Sequence, residues 1–127
     1  MKRQNKILNE LLKLAEDVVP VSRAKLCAAV VIKDEIIAYG INQKKTHPLQ
    51  AEFAKTVEAC FLHAEIDAIA KATKRIGKED FKKATLYVAR VKKTNDGKYI
   101  RGLAKPCSGC QGAIEHYGFK DVVYTEE

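Results

Sequence analysis

Residues 63–91 read HAEIDAIAKATKRIGKEDFKKATLYVARV, and a change of rhythm inside them decides the fold. Ile66, Ile69, Ala70, Thr73 and Ile76 recur at helical spacing, which predicts a helix starting near His63 with Gly77 as its C-cap. Thr85–Val91 (TLYVARV) is then β-branched and aromatic, the composition of a strand. The same succession follows once more. Pro106 opens a helical segment through Ala113, Ile114 and Tyr117 to Gly118, and Asp121–Tyr124 makes a last strand. Strands alternating with helices in this way imply a sheet with crossover helices packed on it.

Upstream, Leu26–Lys33 (LCAAVVIK) is a nearly unbroken apolar run, as expected of a strand covered on both faces. Ile36–Tyr39 follows after the Asp34-Glu35 pair, so the two strands form an antiparallel hairpin with a tight turn there. Ile7, Leu8, Leu11, Leu12, Ala15, Val18 and Val19 draw one apolar stripe on an N-terminal helix that Pro20 stops. Residues 40–62 read as a long loop, or a loop plus a short helix within Gln50–Cys60. Asn95-Asp96-Gly97 before Lys98-Tyr99-Ile100 marks a hairpin leaving the third strand. The order is α-β-β-α-β-α-β. It predicts an α/β protein, a three-layer α/β/α sandwich around a central mixed sheet, with residues 1–127 forming one domain.

A chain of 127 residues, 46% hydrophobic and 31% charged, has the make-up of an ordinary globular domain and can close a core without disulfides. Intrinsic disorder is excluded. No apolar run approaches the roughly 18 residues of a membrane span, and the start, MKRQNKILNELLKLAEDVVP, mixes charges into what a signal peptide would keep apolar. A cytoplasmic protein with no membrane partner is expected. The formal net charge of +7 favours anionic partners such as nucleotides or nucleic acid, although Lys spread along the chain also serves a plain solvated surface.

The chemistry concentrates at two helix openings. His63-Ala64-Glu65 starts one helix and Pro106-Cys107-Ser108-Gly109-Cys110 starts another, so His63, Cys107 and Cys110 offer one imidazole and two thiolates. Zn2+ takes such nitrogen and sulfur ligands in a tetrahedron, and three protein ligands leave a fourth position for water, the arrangement of a catalytic site. Helix dipoles favour the thiolate form of both cysteines. A zinc ion lowers the pKa of bound water toward about 7 to 9. Glu65, two residues past a ligand, reaches that water without binding metal and can carry its proton to a ring nitrogen and then to a departing amine.

H-x-E followed by P-C-x-x-C is the signature of zinc nucleobase deaminases, and the chain resembles the cytidine/deoxycytidylate deaminase superfamily from about Leu26 to Tyr124. The resemblance implies the cytidine-deaminase-like sandwich, His63, Cys107 and Cys110 as zinc ligands, and Glu65 as proton shuttle. It also implies that Asn42, shortly after the second strand, bonds a sugar hydroxyl, and that the backbone N–H of Ala64 contacts the base. Homo-oligomerisation is a further implication. The chain departs from many relatives in two ways. ARVKKTNDGKYIRGLAK intervenes between Val88 and Pro106, implying an inserted hairpin, and the sequence stops at Glu127 just past the fourth predicted core strand. The edge so exposed would be covered by the inserted hairpin or by a second subunit.

Rival readings stay open at several residues. Cys107-x-x-Cys110 alone suits a redox pair, or a structural zinc site completed by Cys60 or Cys27. Lys44 and Lys45 suit either solvent or a 5′-phosphate, and His47 either loop packing or a pocket. Tyr87, Tyr99, Phe61 and Phe119 read as packing residues, with stacking on a base the alternative for any one of them, and Arg101-Gly102 as a turn. The expected function is zinc-dependent hydrolytic deamination of a cytosine-containing nucleotide or nucleoside, deoxycytidylate-like, with a small-molecule pyrimidine as partner. The alternatives are an editing deaminase acting on RNA or single-stranded DNA, and a non-catalytic binding module stabilised by zinc.

Overall fold

The protein was analysed as a computed structural model that describes residues 2–18, 25–43, 48–53 and 62–126. At its centre lies the apolar run of the first strand. Strand β1 (Lys25–Ile32) buries Cys27, Ala28, Ala29, Val30 and Val31 in succession, as a strand covered on both faces must. Strand β2 (Glu35–Ile41) returns antiparallel to it. The turn is Lys33-Asp34 rather than the expected Asp34-Glu35, with φ of 50° and 66°. Two successive positive φ angles are what a two-residue hairpin turn requires, which leaves Glu35 to start the strand.

Strand β3 (Thr85–Lys93) lies antiparallel on the other side of β1, and its outer edge is shared end to end. Strand β5 (Asp121–Tyr124) pairs parallel to residues 85–88, whereas β4 (Tyr99–Gly102) of the inserted hairpin pairs antiparallel to residues 90–93. Arg101 and Gly102 therefore belong to a strand, not to a turn. Thr125 joins the two partners. Its hydroxyl accepts from Arg90 N–H (3.1 Å) and donates to the Gly102 carbonyl (2.7 Å), while its own N–H reaches the Val88 carbonyl (3.1 Å). The inserted hairpin thus extends β3 in line with β5 and does not cover the outer edge of β5, against one of the two expectations for that edge.

Side chains alternate across the sheet and collect two cores. Helix α1 (Lys2–Glu16) sets Ile7, Leu8, Leu11 and Ala15 on Cys27, Ala29, Val31, Tyr87, Ala89 and Val91. Its last turn closes with Val18 N–H on the Ala15 carbonyl, so the helix ends before Val19 and Pro20, which lie outside the described residues. On the opposite face, α3 (Ala64–Ala72) and α4 (Ser108–Tyr117) pack Ile66, Ala68, Ile69, Ala113 and Ile114 against Ala28, Val30, Leu86 and Val88. The result is the expected α/β/α sandwich with a central mixed sheet. A short helix, α2 (Pro48–Phe53), packs against α3 and α4. No described helix is long and apolar enough to cross a membrane.

Gly77 does not cap α3. That helix closes at Ala72, and Gly77 instead opens a 3-10 segment at Lys78–Lys83, its N–H donated to the Asp80 carboxylate at 3.1 Å. The segment inserts Phe81 between Tyr117 and Phe119, with ring centroids 5.0 and 5.4 Å away. Gly118 ends α4 as expected, in the left-handed conformation at φ 80°. Gly40 has a different task, because it lets α3 lie almost on β2. A Cβ there would sit 2.2 Å from the Ala64 carbonyl oxygen and 2.3 Å from Ala68 N. That approach fixes where the first turn of α3 stands.

Candidate metal centre

His63 occupies the N-cap of α3 in extended conformation (φ −81°, ψ 154°), with its carbonyl accepting from Asp67 N–H at 3.0 Å. The segment before it is held from two sides. Gln43 N–H, just past β2, donates to the Leu62 carbonyl at 2.9 Å, and His63 N–H donates to Gln50 Oε1 of α2 at 3.0 Å. Cys107 is the N-cap of α4, its Sγ accepting from Cys110 N–H at 3.4 Å. Sequence placed the helix opening at Pro106; regular helix begins two residues later, which frees the Cys107 side chain for capping.

His63 Nδ1 lies 3.2 Å from Cys110 Sγ and 3.6 Å from Cys107 Sγ, and the three ligand atoms fall within 4.8 Å of one another. Zinc bonds of about 2.3 Å to sulfur and 2.05 Å to nitrogen, meeting at a tetrahedral angle, put the two atoms about 3.6 Å apart. The donor set and its spacing therefore fit zinc. Among the described residues no other group of histidines, cysteines and carboxylates is so placed. Cys27 cannot complete a four-ligand site, for it belongs to the core on the α1 face of the sheet, where burial pushes its thiol up to about 12. Cys60 lies outside the described residues, as do Lys44, Lys45, His47 and Phe61.

The charges are arranged for a metal. Hydrogen bonds from the Cys110 thiol and from His63, with the Cys110 N–H, bring the Cys107 thiol down to about 3, so it is held as thiolate. The same interaction raises Cys110, which burial and Glu65 also raise. His63 is raised chiefly by its bond to Cys107, against burial. Glu65, in the first turn of α3, is 4% exposed, and its burial raises the carboxyl above the usual range despite the pull of His63. Desolvation penalises the charged form, so a carboxyl buried in this way holds a proton more readily than a solvated one.

Ala64 is the buried first residue of α3, where backbone N–H groups have no partner within the helix. Asn42 is 6% exposed, and its Oδ1 accepts from Leu26 N–H at 2.9 Å, which ties the end of β2 to the start of β1. Tyr87 and Phe119 pack into the cores, and the Tyr99 hydroxyl accepts from Lys25 at 2.9 Å. Three residues were not singled out from sequence. Asp67 receives Ile41 N–H (3.0 Å), Gln43 Nε2 (3.1 Å) and Lys71 Nζ (3.0 Å), clamping β2 to α3. Only its i, i+4 spacing to Lys71 was visible in advance. Gln50 gave no signal beyond lying in a candidate helix. Arg90 sits on β3, two residues past Val88 and so on the same sheet face, its aliphatic stem lying across Gly102 and its Nε buried without an acceptor among the described residues.

Comparison with known proteins bears on this geometry. The family profile described as the cytidine and deoxycytidylate deaminase zinc-binding region matches residues 1–126. Among curated proteins none matches. Among solved structures, the dCMP deaminase of cyanophage S-TIM5 is 27% identical, with a TM-score of 0.59 over 94% of this chain and 82% of that one. A guanine deaminase from Bacillus subtilis is also 27% identical, with a TM-score of 0.61 over 97% of this chain and 64% of that one. RibD of Acinetobacter baumannii, 20% identical, shares the fold, with a TM-score of 0.58 over 97% of this chain and 28% of that much longer one.

Proposed function

The chain belongs to the cytidine and deoxycytidylate deaminase family defined by its zinc-binding region, and from that membership we propose that it deaminates a cytosine-containing mononucleotide by hydrolysis. That it is a zinc-dependent deaminase follows from the family; the choice of substrate and the roles of individual residues are our reading. His63 Nδ1, Cys107 Sγ and Cys110 Sγ would hold the zinc, which when bound supplies Lewis acidity toward water. Glu65 takes one proton from the attacking water onto a carboxylate oxygen and gives it to the ring nitrogen, then takes the remaining proton of the added hydroxyl and gives it to the amine, which leaves as ammonia as the C–N bond breaks. The observation that carries this reading is the Glu65 carboxyl, nearly closed to solvent beside Cys110 and two residues from His63.

Ala64 N–H faces the base in this reading. Asn42 takes the sugar hydroxyl, a role supported by Gln43 N–H on the Leu62 carbonyl, which sets the end of β2 beside the approach to His63. A phosphorylated substrate is supported by the net charge of +7 and by Arg90, whose strand partner Leu26 is bonded to Asn42. The cyanophage enzyme has been solved with dCMP and dUMP. Exposed Leu14 on α1 and exposed Tyr39 and Ile41 on β2 supply apolar area for the homo-oligomer, and the free thiols of Cys27, Cys107 and Cys110, the cysteines among the described residues, suit a cytoplasmic setting.

Ammonium release by the zinc-loaded protein tests this across free bases, nucleosides, mononucleotides and short single strands carrying cytosine, adenine or guanine. A cytosine mononucleotide is expected to lead. Glu65→Gln should keep one zinc and lose roughly 100- to 10,000-fold in kcat, the scale of a general acid–base. Release only from strands, with affinity falling steeply in salt, would replace the mononucleotide by a polynucleotide. A Glu65→Gln variant as active as wild type would sink the proton-shuttle assignment.

A further inference from the structure

Gln50 is fully buried, and its amide is used at one end only. Oε1 accepts from His63 N–H at 3.0 Å, which fixes the amide's orientation, since turning it over would set two donors against each other. Nε2 then has no acceptor among the described residues. A buried donor left unmatched is costly, so a partner is expected in the working state. The two amide atoms are about 2.2 Å apart, which puts Nε2 roughly 5 Å or less from the backbone nitrogen of His63. Its helix, α2, packs against both α3 and α4, the helices whose openings carry the three ligand atoms.

Building on the deaminase reading above, we propose that Gln50 contacts the substrate, with Nε2 donating a hydrogen bond to an acceptor atom on the ring of the base held beside His63. The acceptor is a ring carbonyl oxygen or an unprotonated ring nitrogen; a ring that turns N–H or NH2 toward Nε2 is rejected. Gln50 thereby helps select the base. A polar group built to pair with one substrate atom discriminates against analogues lacking it far better than an apolar wall does.

Two variants of the zinc-loaded full chain separate this role from mere support of His63. Gln50→Glu keeps an acceptor for His63 N–H and removes the donor, whereas Gln50→Met removes both at similar volume. Zinc content, thermal midpoint, KM and kcat are measured for each, together with the calorimetric Kd of the deaminated product of whichever base the wild type turns over. Gln50→Glu is expected to keep one zinc, to raise KM and product Kd roughly tenfold or more, and to change kcat less. Wild-type KM and product Kd in both variants would overturn the proposal, leaving Nε2 to an ordered water. So would loss of zinc from both variants, which would confine Gln50 to holding His63. A wild type that turns over nucleotides while the variants match it fails this inference alone. A wild type that neither deaminates nor binds any nucleobase compound fails the deaminase reading with it.

Discussion

At Arg90 the strand carries a cation whose Nε is shut away from water without an acceptor among the described residues, on the sheet face that also carries α3 and α4. A guanidinium so placed offers a planar fork of donors that fits two oxygens of a phosphate. Arg90→Leu is therefore expected to raise KM for a cytosine mononucleotide roughly 10- to 100-fold while leaving the nucleoside within about twofold, the scale of a charge-assisted hydrogen bond. Steady-state kinetics on the two substrates check it, and an equal effect on both would remove Arg90 from the phosphate. Arg90, Gln50 and Asp67 escaped the sequence for one physical reason: each acts through a partner fixed only by tertiary structure. Leu26 and Gly102 flank Arg90, His63 fixes Gln50, and the end of β2 fixes Asp67. The grouping of His63, Cys107 and Cys110 was legible because a helix opening converts short spacing into common orientation.

Among the elements, the pairing of α3 with β2 is the most exacting, since it brings helix backbone onto strand backbone over Gly40. Gly40→Ala adds a single carbon that meets backbone, which cannot rotate aside. We expect a loss of about 2–3 kcal/mol, toward the upper end for an overpacked core, and a weaker zinc affinity because the first turn of α3 moves with it. Denaturant unfolding and a zinc-competition titration measure the two together; unchanged values in both would mean that the helix has slack. The strands themselves were legible from composition, β1 above all. Their punctuation was less so. Gly77 reads equally as the end of one helix or the start of a 3-10 turn, and only the Asp80 carboxylate on its N–H decides between them. Asp34-Glu35 and Lys33-Asp34 differ by one residue, and the positive φ angles that choose between them come from strand register.

Over the whole molecule, a metal bound at the three ligand atoms would tie residues 44 apart, from the first turn of one helix to the first turn of another, with β3 and the inserted hairpin between. Closing a loop of that length restricts the unfolded chain by about 4 kcal/mol in the simple chain-entropy view. Chelation should therefore lower the thermal midpoint by roughly 10 °C or more, and zinc should restore it. Calorimetry with and without chelator reads this directly; an unchanged midpoint after confirmed zinc removal would mean that the two cores carry the fold alone. The layers were legible from the α-β-β-α-β-α-β order, but the shared edge of β3 was not, because sequence cannot tell that two strands will divide one neighbour between them. That arrangement has a use in protein engineering. The tip at Asn95-Asp96-Gly97 is exposed and closes on itself through Thr94, bonded to Gly97 N–H and Lys98. Tips of this kind tolerate spliced-in sequence, so a reporter peptide or a tether to a second protein can be grafted there while the catalytic chassis stays as it is.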